Sequence, residues 1–156
     1  MIVADNTLLC HFFLQSDLRD IARQVREKDG EWIVPPLWKS EFANAIVKAY
    51  WACPDPLELY YRAWDSACAV MEPCERPVDF HEAVRLGAEN HISAYDGQYV
   101  HLARKFGVPL ITEDSKLQRK FPAFAVSMED FLKGAPGDHV VREPKAGYRT
   151  RRQRKG

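Results

Sequence analysis

Alternation constrains this chain more than any other feature. Short apolar runs, too brief for helices, are separated by longer stretches with apolar residues at helical spacing. Ile2-Val3-Ala4, Trp32-Ile33-Val34, Val108 to Thr112 and Phe124-Ala125-Val126 read as buried strands. A further short edge strand is expected around Met71-Glu72-Pro73-Cys74. Between them lie helical stretches. Residues 7–14 form a short apolar helix, and Ser16 is placed to cap a helix to about Lys28 with Leu18, Ile21, Ala22 and Val25 on one face. Pro35-Pro36 opens a helix to about Ala52, and Asp55-Pro56 a helix through Leu59, Ala63, Ala67 and Met71, with Asp55 as its cap. Asp79 to Glu82 resembles a capping box for a helix to about Glu89. Tyr95 to Phe106 is the most periodic helix, with Tyr95, Tyr99, Leu102, Ala103 and Phe106 on one face, and Gly107 closes it. Short helices follow at 116–121 and 127–132. Strands joined through helices pair in parallel, and a parallel sheet must be covered on both faces.

The chain's 156 residues suit one domain. Periodicity stops at Gly134, which divides the sequence into a folded body, 1–133, and a basic, mobile tail, 134–156. The formal net charge is +0, but the tail carries +5 and the body therefore −5. Such a tail, with Arg149, Arg151, Arg152 and Arg154 clustered, could contact RNA phosphates, bind a protein partner, or only aid solubility. No apolar run has membrane-spanning length, and the N-terminus lacks a basic, apolar leader, so the chain reads as an unprocessed cytoplasmic protein.

Several chemistries lack their residues. The four cysteines have no C-x-x-C pair, and Cys10, Cys53 and Cys68 read as small buried hydrophobes. The five histidines lack zinc-ligand spacing, and His91, although close to Asp96 in sequence, reads as a helix-end residue. Neither a phosphate-binding loop nor a dinucleotide fingerprint is present. Trp51 stands at a helix end, where packing, a dimer surface and base stacking all remain open.

Four acids carry the chemical signal. Asp5 ends the first strand, Asp114 follows a later one, and Glu41 and Asp96 lie early in helices. In a parallel sheet these places share the C-terminal edge of the strands, where open α/β folds build their sites. Asp96, Asp114 and Glu41 each have a plain alternative as helix caps or dipole partners. Asp5 is harder to explain so, because a carboxylate ending an interior strand needs partners or a cation. Converging carboxylates can share a proton as acid and base, or hold a hard divalent ion.

These segments resemble the PIN-domain family, most closely the toxin ribonucleases of VapBC-type toxin–antitoxin systems. The resemblance rests on Val3-Ala4-Asp5-Asn6-Thr7, Val34 to Asn44 with Glu41, Ile92 to Ala103 with Asp96, and Pro109 to Leu117 with Asp114. It implies a three-layer α/β/α fold around a mostly parallel sheet of about five strands. It implies an Mg²⁺- or Mn²⁺-dependent endoribonuclease cutting single-stranded RNA. Asp5, Glu41, Asp96 and Asp114 match the catalytic acids, with Asp5, Asp96 and Asp114 as metal ligands and Thr7 and Thr112 supporting them. A cognate antitoxin and a homodimer or larger toxin–antitoxin assembly are implied partners. Asn6 and Gly97 depart from the family pattern, and glycine at 97 is expected to loosen its helix. Receiver and dehalogenase-like phosphatase patterns fail at Asp5-Asn6-Thr7, whereas a non-catalytic RNA-binding module with the same fold remains an alternative.

Overall fold

The computed structural model describes residues 1–134. The tail beyond them, with Arg149, Arg151, Arg152 and Arg154, lies outside the described residues.

Strands β1 (Ile2–Ala4), β2 (Trp32–Ile33), β3 (Leu110–Ile111) and β4 (Ala125–Val126) form one sheet in the order β2-β1-β3-β4. Every pairing is parallel, with Val3 opposite both Ile33 and Leu110, and Leu110 opposite Ala125. The strands alternate faces as their period of two requires. Ile2, Ala4, Trp32, Val34, Ile111 and Val126 enter one core. Val3, Ile33, Leu110 and Ala125 enter the other.

The first core is covered by α1 (Asn6–Phe13), α2 (Arg19–Lys28), α3 (Trp38–Ala52), α4 (Leu57–Met71) and α8 (Met128–Leu132). The second is covered by α5 (Phe80–Asn90), α6 (Ala94–Phe106) and α7 (Ser115–Lys120). The result is the expected three-layer α/β/α arrangement. The chain leaves β1 toward β2 on one side and later returns to β3 on the other. The β1/β3 crevice is therefore the point where strand order reverses.

Several elements differ from what the sequence predicts. Met71 to Cys74 is not a strand: Met71 completes the buried face of α4, and Glu72–Cys74 forms a 3₁₀ turn. The chain meets the sheet just beyond this turn, where Glu75 forms a parallel bridge with Val34: the Val34 amide donates to the Cys74 carbonyl at 3.2 Å and the Arg76 amide to the Val34 carbonyl at 2.9 Å. Second, α2 starts at Arg19 with Leu18 in its cap position; the Ser16 hydroxyl instead closes the preceding turn, accepting the Leu18 amide at 3.1 Å and meeting His11 Nδ1 at 2.6 Å. Third, Pro56 rather than Asp55 holds the cap position of α4. Fourth, Tyr95 and Phe106 lie on the face expected to be apolar, yet both are exposed, leaving Tyr99, Leu102 and Ala103 as its buried members. Fifth, Cys53 is exposed, while Cys10, Cys68 and Cys74 are half-buried.

Gly97 lies within α6 and has a packing role that its helix propensity does not indicate. A Cβ there would stand 2.4 Å from the Ala83 carbonyl oxygen, so glycine is what lets α6 cross α5 this closely. No helix among the described residues is long and apolar enough to cross a membrane.

Candidate active site

Asp5 holds the N-cap position of α1 in extended conformation, one residue beyond β1, without a capping bond from its side chain, and is 7% exposed. Burial pushes its carboxyl above the ordinary carboxylate range, opposed by hydrogen bonds from Thr112 and Thr7 and by the Asn6 and Thr7 amides. Thr112 Oγ1 donates to Asp5 Oδ2 at 2.7 Å and Thr7 Oγ1 donates to the same oxygen at 2.9 Å. Each hydroxyl also accepts a backbone amide at 3.0 Å, Thr7 from Glu113 and Thr112 from Asp114. The two threonines thus tie the residues after β3 to the acid that ends β1.

Glu41 sits in the first turn of α3, whose next residue, Phe42, is fully buried. Burial pushes Glu41 up to about 7; the Tyr99 hydrogen bond opposes this, and the negative charges of Asp5 and Asp96 add to it. Tyr99 OH donates to Glu41 Oε2 at 2.6 Å. Burial, with Glu41 and Asp5 nearby, also holds the tyrosine well above its ordinary range. Cys10, one turn along α1 from Asn6, is pushed up to about 12 by burial and then by the charges of Asp5 and Glu41, so it stays a neutral thiol.

Asp96 takes part in a full capping box. Its amide donates to Ser93 Oγ at 3.0 Å, and its Oδ2 accepts from the Ser93 amide at 3.3 Å. Asp96 thus caps the first turn of α6, and its charge still reaches Glu41. Asp114 likewise caps α7, its Oδ1 accepting from the Lys116 amide at 2.7 Å. The structure thus gathers Asp5, Thr7, Glu41, Tyr99 and Thr112, brings the Asp96 charge to bear on Glu41, and links Asp114 to the group through Thr112.

Among the described residues, no three histidine, cysteine or acidic side chains converge as a ready ligand set. The donors at this edge are nevertheless carboxylate and hydroxyl oxygens, the chemistry that suits Mg²⁺ or Mn²⁺. His91 ends α5 in left-handed conformation, as its helix-end reading expects.

Sequence reading missed two contributors. Tyr99 looked like one more apolar-face residue; its signal is that it follows Asp96 by three, one helical turn away. Glu113 bridges layers, with Oε1 accepting from the Met128 amide at 2.8 Å, and only the fold reveals this.

The family model described as PIN domain matches residues 2–121. No curated protein matches the chain. Among solved structures, the chain is similar to one described as the crystal structure of PAE2754 from Pyrobaculum aerophilum. That likeness has a TM-score of 0.64 at 20% identity and covers 85% of this chain and 94% of that one.

Proposed function

Because the chain belongs to the PIN-domain family, we propose that its carboxylate edge is the active site of a divalent-metal-dependent endoribonuclease acting on single-stranded RNA. The observation that carries this reading is the buried Asp5 carboxylate at the end of β1, held by the Thr7 and Thr112 hydroxyls, with Tyr99 holding Glu41 in the same group. Glu41 is pushed up to about 7 partly by Asp5 and Asp96, and Asp5 is raised by burial. Like charges held this way are relieved by a cation.

Asp5, Asp96 and Asp114 would hold Mg²⁺ or Mn²⁺, with Glu41 beside them. When bound, the ion would supply charge neutralisation at the scissile phosphate and a more acidic water. The chain's own groups prepare the site. Thr7 and Thr112 fix one oxygen of Asp5, and Tyr99 fixes one oxygen of Glu41, so the carboxylates are oriented before substrate arrives. The toxin role of a VapBC-type pair, with a cognate antitoxin and a homodimer or larger assembly, belongs to the same proposal. So does RNA contact by the tail arginines.

The test compares wild type with Asp5→Asn on labelled single-stranded RNA, with Mg²⁺ or Mn²⁺ and with chelator. Wild type should cut only with metal, and Asp5→Asn should lose at least about a hundredfold in rate while keeping its circular dichroism. Cutting by Asp5→Asn at the wild-type rate would sink the assignment. Metal-independent RNA binding without cleavage by either protein would leave the non-catalytic RNA-binding module.

A further inference from the structure

Charge in the body is distributed unevenly. Residues 1–134 carry fifteen lysines and arginines against twenty acids. Residues 97–128 reverse that balance, with Arg104, Lys105, Lys116, Arg119 and Lys120 against only Glu113 and Asp114. Both of those acids already accept backbone amides, Glu113 from Met128 and Asp114 from Lys116. Among the described residues, none of the five cations forms an ion pair, whereas Arg23, Lys39, Arg85 and Lys133 do.

Three of the five lie on α7, which begins directly after Asp114. Lys116, Arg119 and Lys120 are exposed, while Leu117 between them is buried and anchors the helix. Gln118 Nε2 donates to the Thr112 carbonyl at 2.7 Å, which fixes α7 to the strand end that supports Asp5. Lys116 and Lys120 are four apart and so share a face, about 6 Å apart along the axis. Lys120 Nζ donates to the Asn90 carbonyl at 2.5 Å, placing its ammonium against the α5–α6 corner that leads to Ser93 and Asp96. Arg104 extends the row from α6, its guanidinium 5.5 Å from the Phe121 ring and 5.9 Å from the Phe124 ring.

We propose that this ridge, Lys116, Arg119 and Lys120 continued by Arg104, is the track along which the phosphodiester backbone of the substrate strand leaves the carboxylate edge past Asp114. The inference rests on the ribonuclease reading for the identity of the strand. Its physical logic is separate. The body is acidic overall and its site is a group of carboxylates, so a polyanion needs local cations to approach. These cations are adjacent to the site, have no competing carboxylate among the described residues, and are carried on an anchored helix.

The experiment measures binding in chelator, where cleavage plays no part. The full chain is titrated onto a labelled single-stranded oligonucleotide at several salt concentrations. The ridge variant carries Lys116→Gln, Arg119→Gln and Lys120→Gln. A control carries Arg23→Gln, Lys48→Gln and Arg62→Gln, removing equal charge from exposed positions on α2, α3 and α4. The ridge variant should bind at least about fivefold more weakly, and its log–log salt slope should flatten by roughly 1.4 to 2.1, about 0.7 for each phosphate that is no longer neutralised. The control should keep the wild-type slope to within about 0.7, the equivalent of one phosphate. A variant with Lys116→Arg and Lys120→Arg keeps the charge and should retain the slope, which separates phosphate binding from folding. An unchanged slope in the ridge variant, or an equal change in the control, overturns the track. Loss of slope in the charge-retaining variant overturns it too. Failure of the parent reading looks different: wild type then cuts no RNA with metal present, whatever its ridge binds.

Discussion

Tyr99 donates a 2.6 Å hydrogen bond to Glu41 across the end of the sheet, joining α6 in one helical layer to α3 in the other. The bond orients a carboxylate that is half-buried and surrounded by negative charge. It offsets only part of that cost, because Glu41 is still pushed up to about 7.

Glu41 should therefore destabilise the metal-free protein at alkaline pH. Its folded pKa lies above its ordinary value of 4.5, so the folded chain binds the proton more tightly. The stability this gives is complete below pH 4.5 and is lost as pH rises through about 7. Glu41→Gln should melt higher than wild type at pH 8 in chelator, by about 1–3 kcal/mol, and the gap should narrow toward pH 5. A gap independent of pH, or a mutant that melts lower at pH 8, contradicts this account.

Gly97→Ala should destabilise the protein by about 1–3 kcal/mol, since the new methyl would meet the Ala83 carbonyl oxygen at 2.4 Å and the backbone must move. Helix propensity alone favours alanine by about 1 kcal/mol, so the sign of the change separates the two effects. Thermal denaturation reads it directly. Gly87→Ala is a milder comparison, with its nearest contact at 3.2 Å to the Ile92 carbonyl oxygen.

Thr112 is fully buried, donates to Asp5, and accepts the Asp114 amide. Thr112→Val keeps the shape and removes both bonds. The expected cost is about 1.5–3 kcal/mol, together with, on the proposed ribonuclease function, a loss of RNA-cleavage rate. Thr112→Ser keeps the hydroxyl and should restore most of that rate. If serine and valine variants were equally impaired, the hydroxyl would have no part in holding Asp5.

His101 gives a pH dependence of opposite sign to Glu41. It is 9% exposed, and its Nε2 accepts the Asp79 amide at 3.4 Å. Burial, helped by Lys105, holds its pKa below the ordinary 6.5. The unfolded chain then binds the proton more tightly, so stability is present above pH 6.5 and is lost as pH falls through the folded value. His101→Gln should lose less stability than wild type between about pH 7.5 and 5.5. Parallel curves for the two proteins would show that His101 does not titrate differently on folding.

The strand–helix alternation, the parallel sheet and the two cores were legible in the sequence because they rest on local periodicity. Ile2 and Ala4 against Val3 is a two-residue pattern that any parallel sheet must sort onto opposite faces. The placement of Asp5, Glu41, Asp96 and Asp114 at strand ends or early in helices was legible for the same reason. The edge strand at Met71–Cys74 was misread because a short apolar run with a proline fits a helix end as well as a strand, and burial of Met71 decides between them. The packing role of Gly97 was not legible because propensity sees only its own helix, whereas that role is set by Ala83 on another. Tertiary structure alone could pair Tyr99 with Glu41, residues 58 positions apart, and Thr112 with Asp5, 107 apart. Sequence determines which side chains each element offers to the end of the sheet. Which oxygen meets which hydroxyl there depends on layer spacing and helix crossing, and those are set by packing over the whole body.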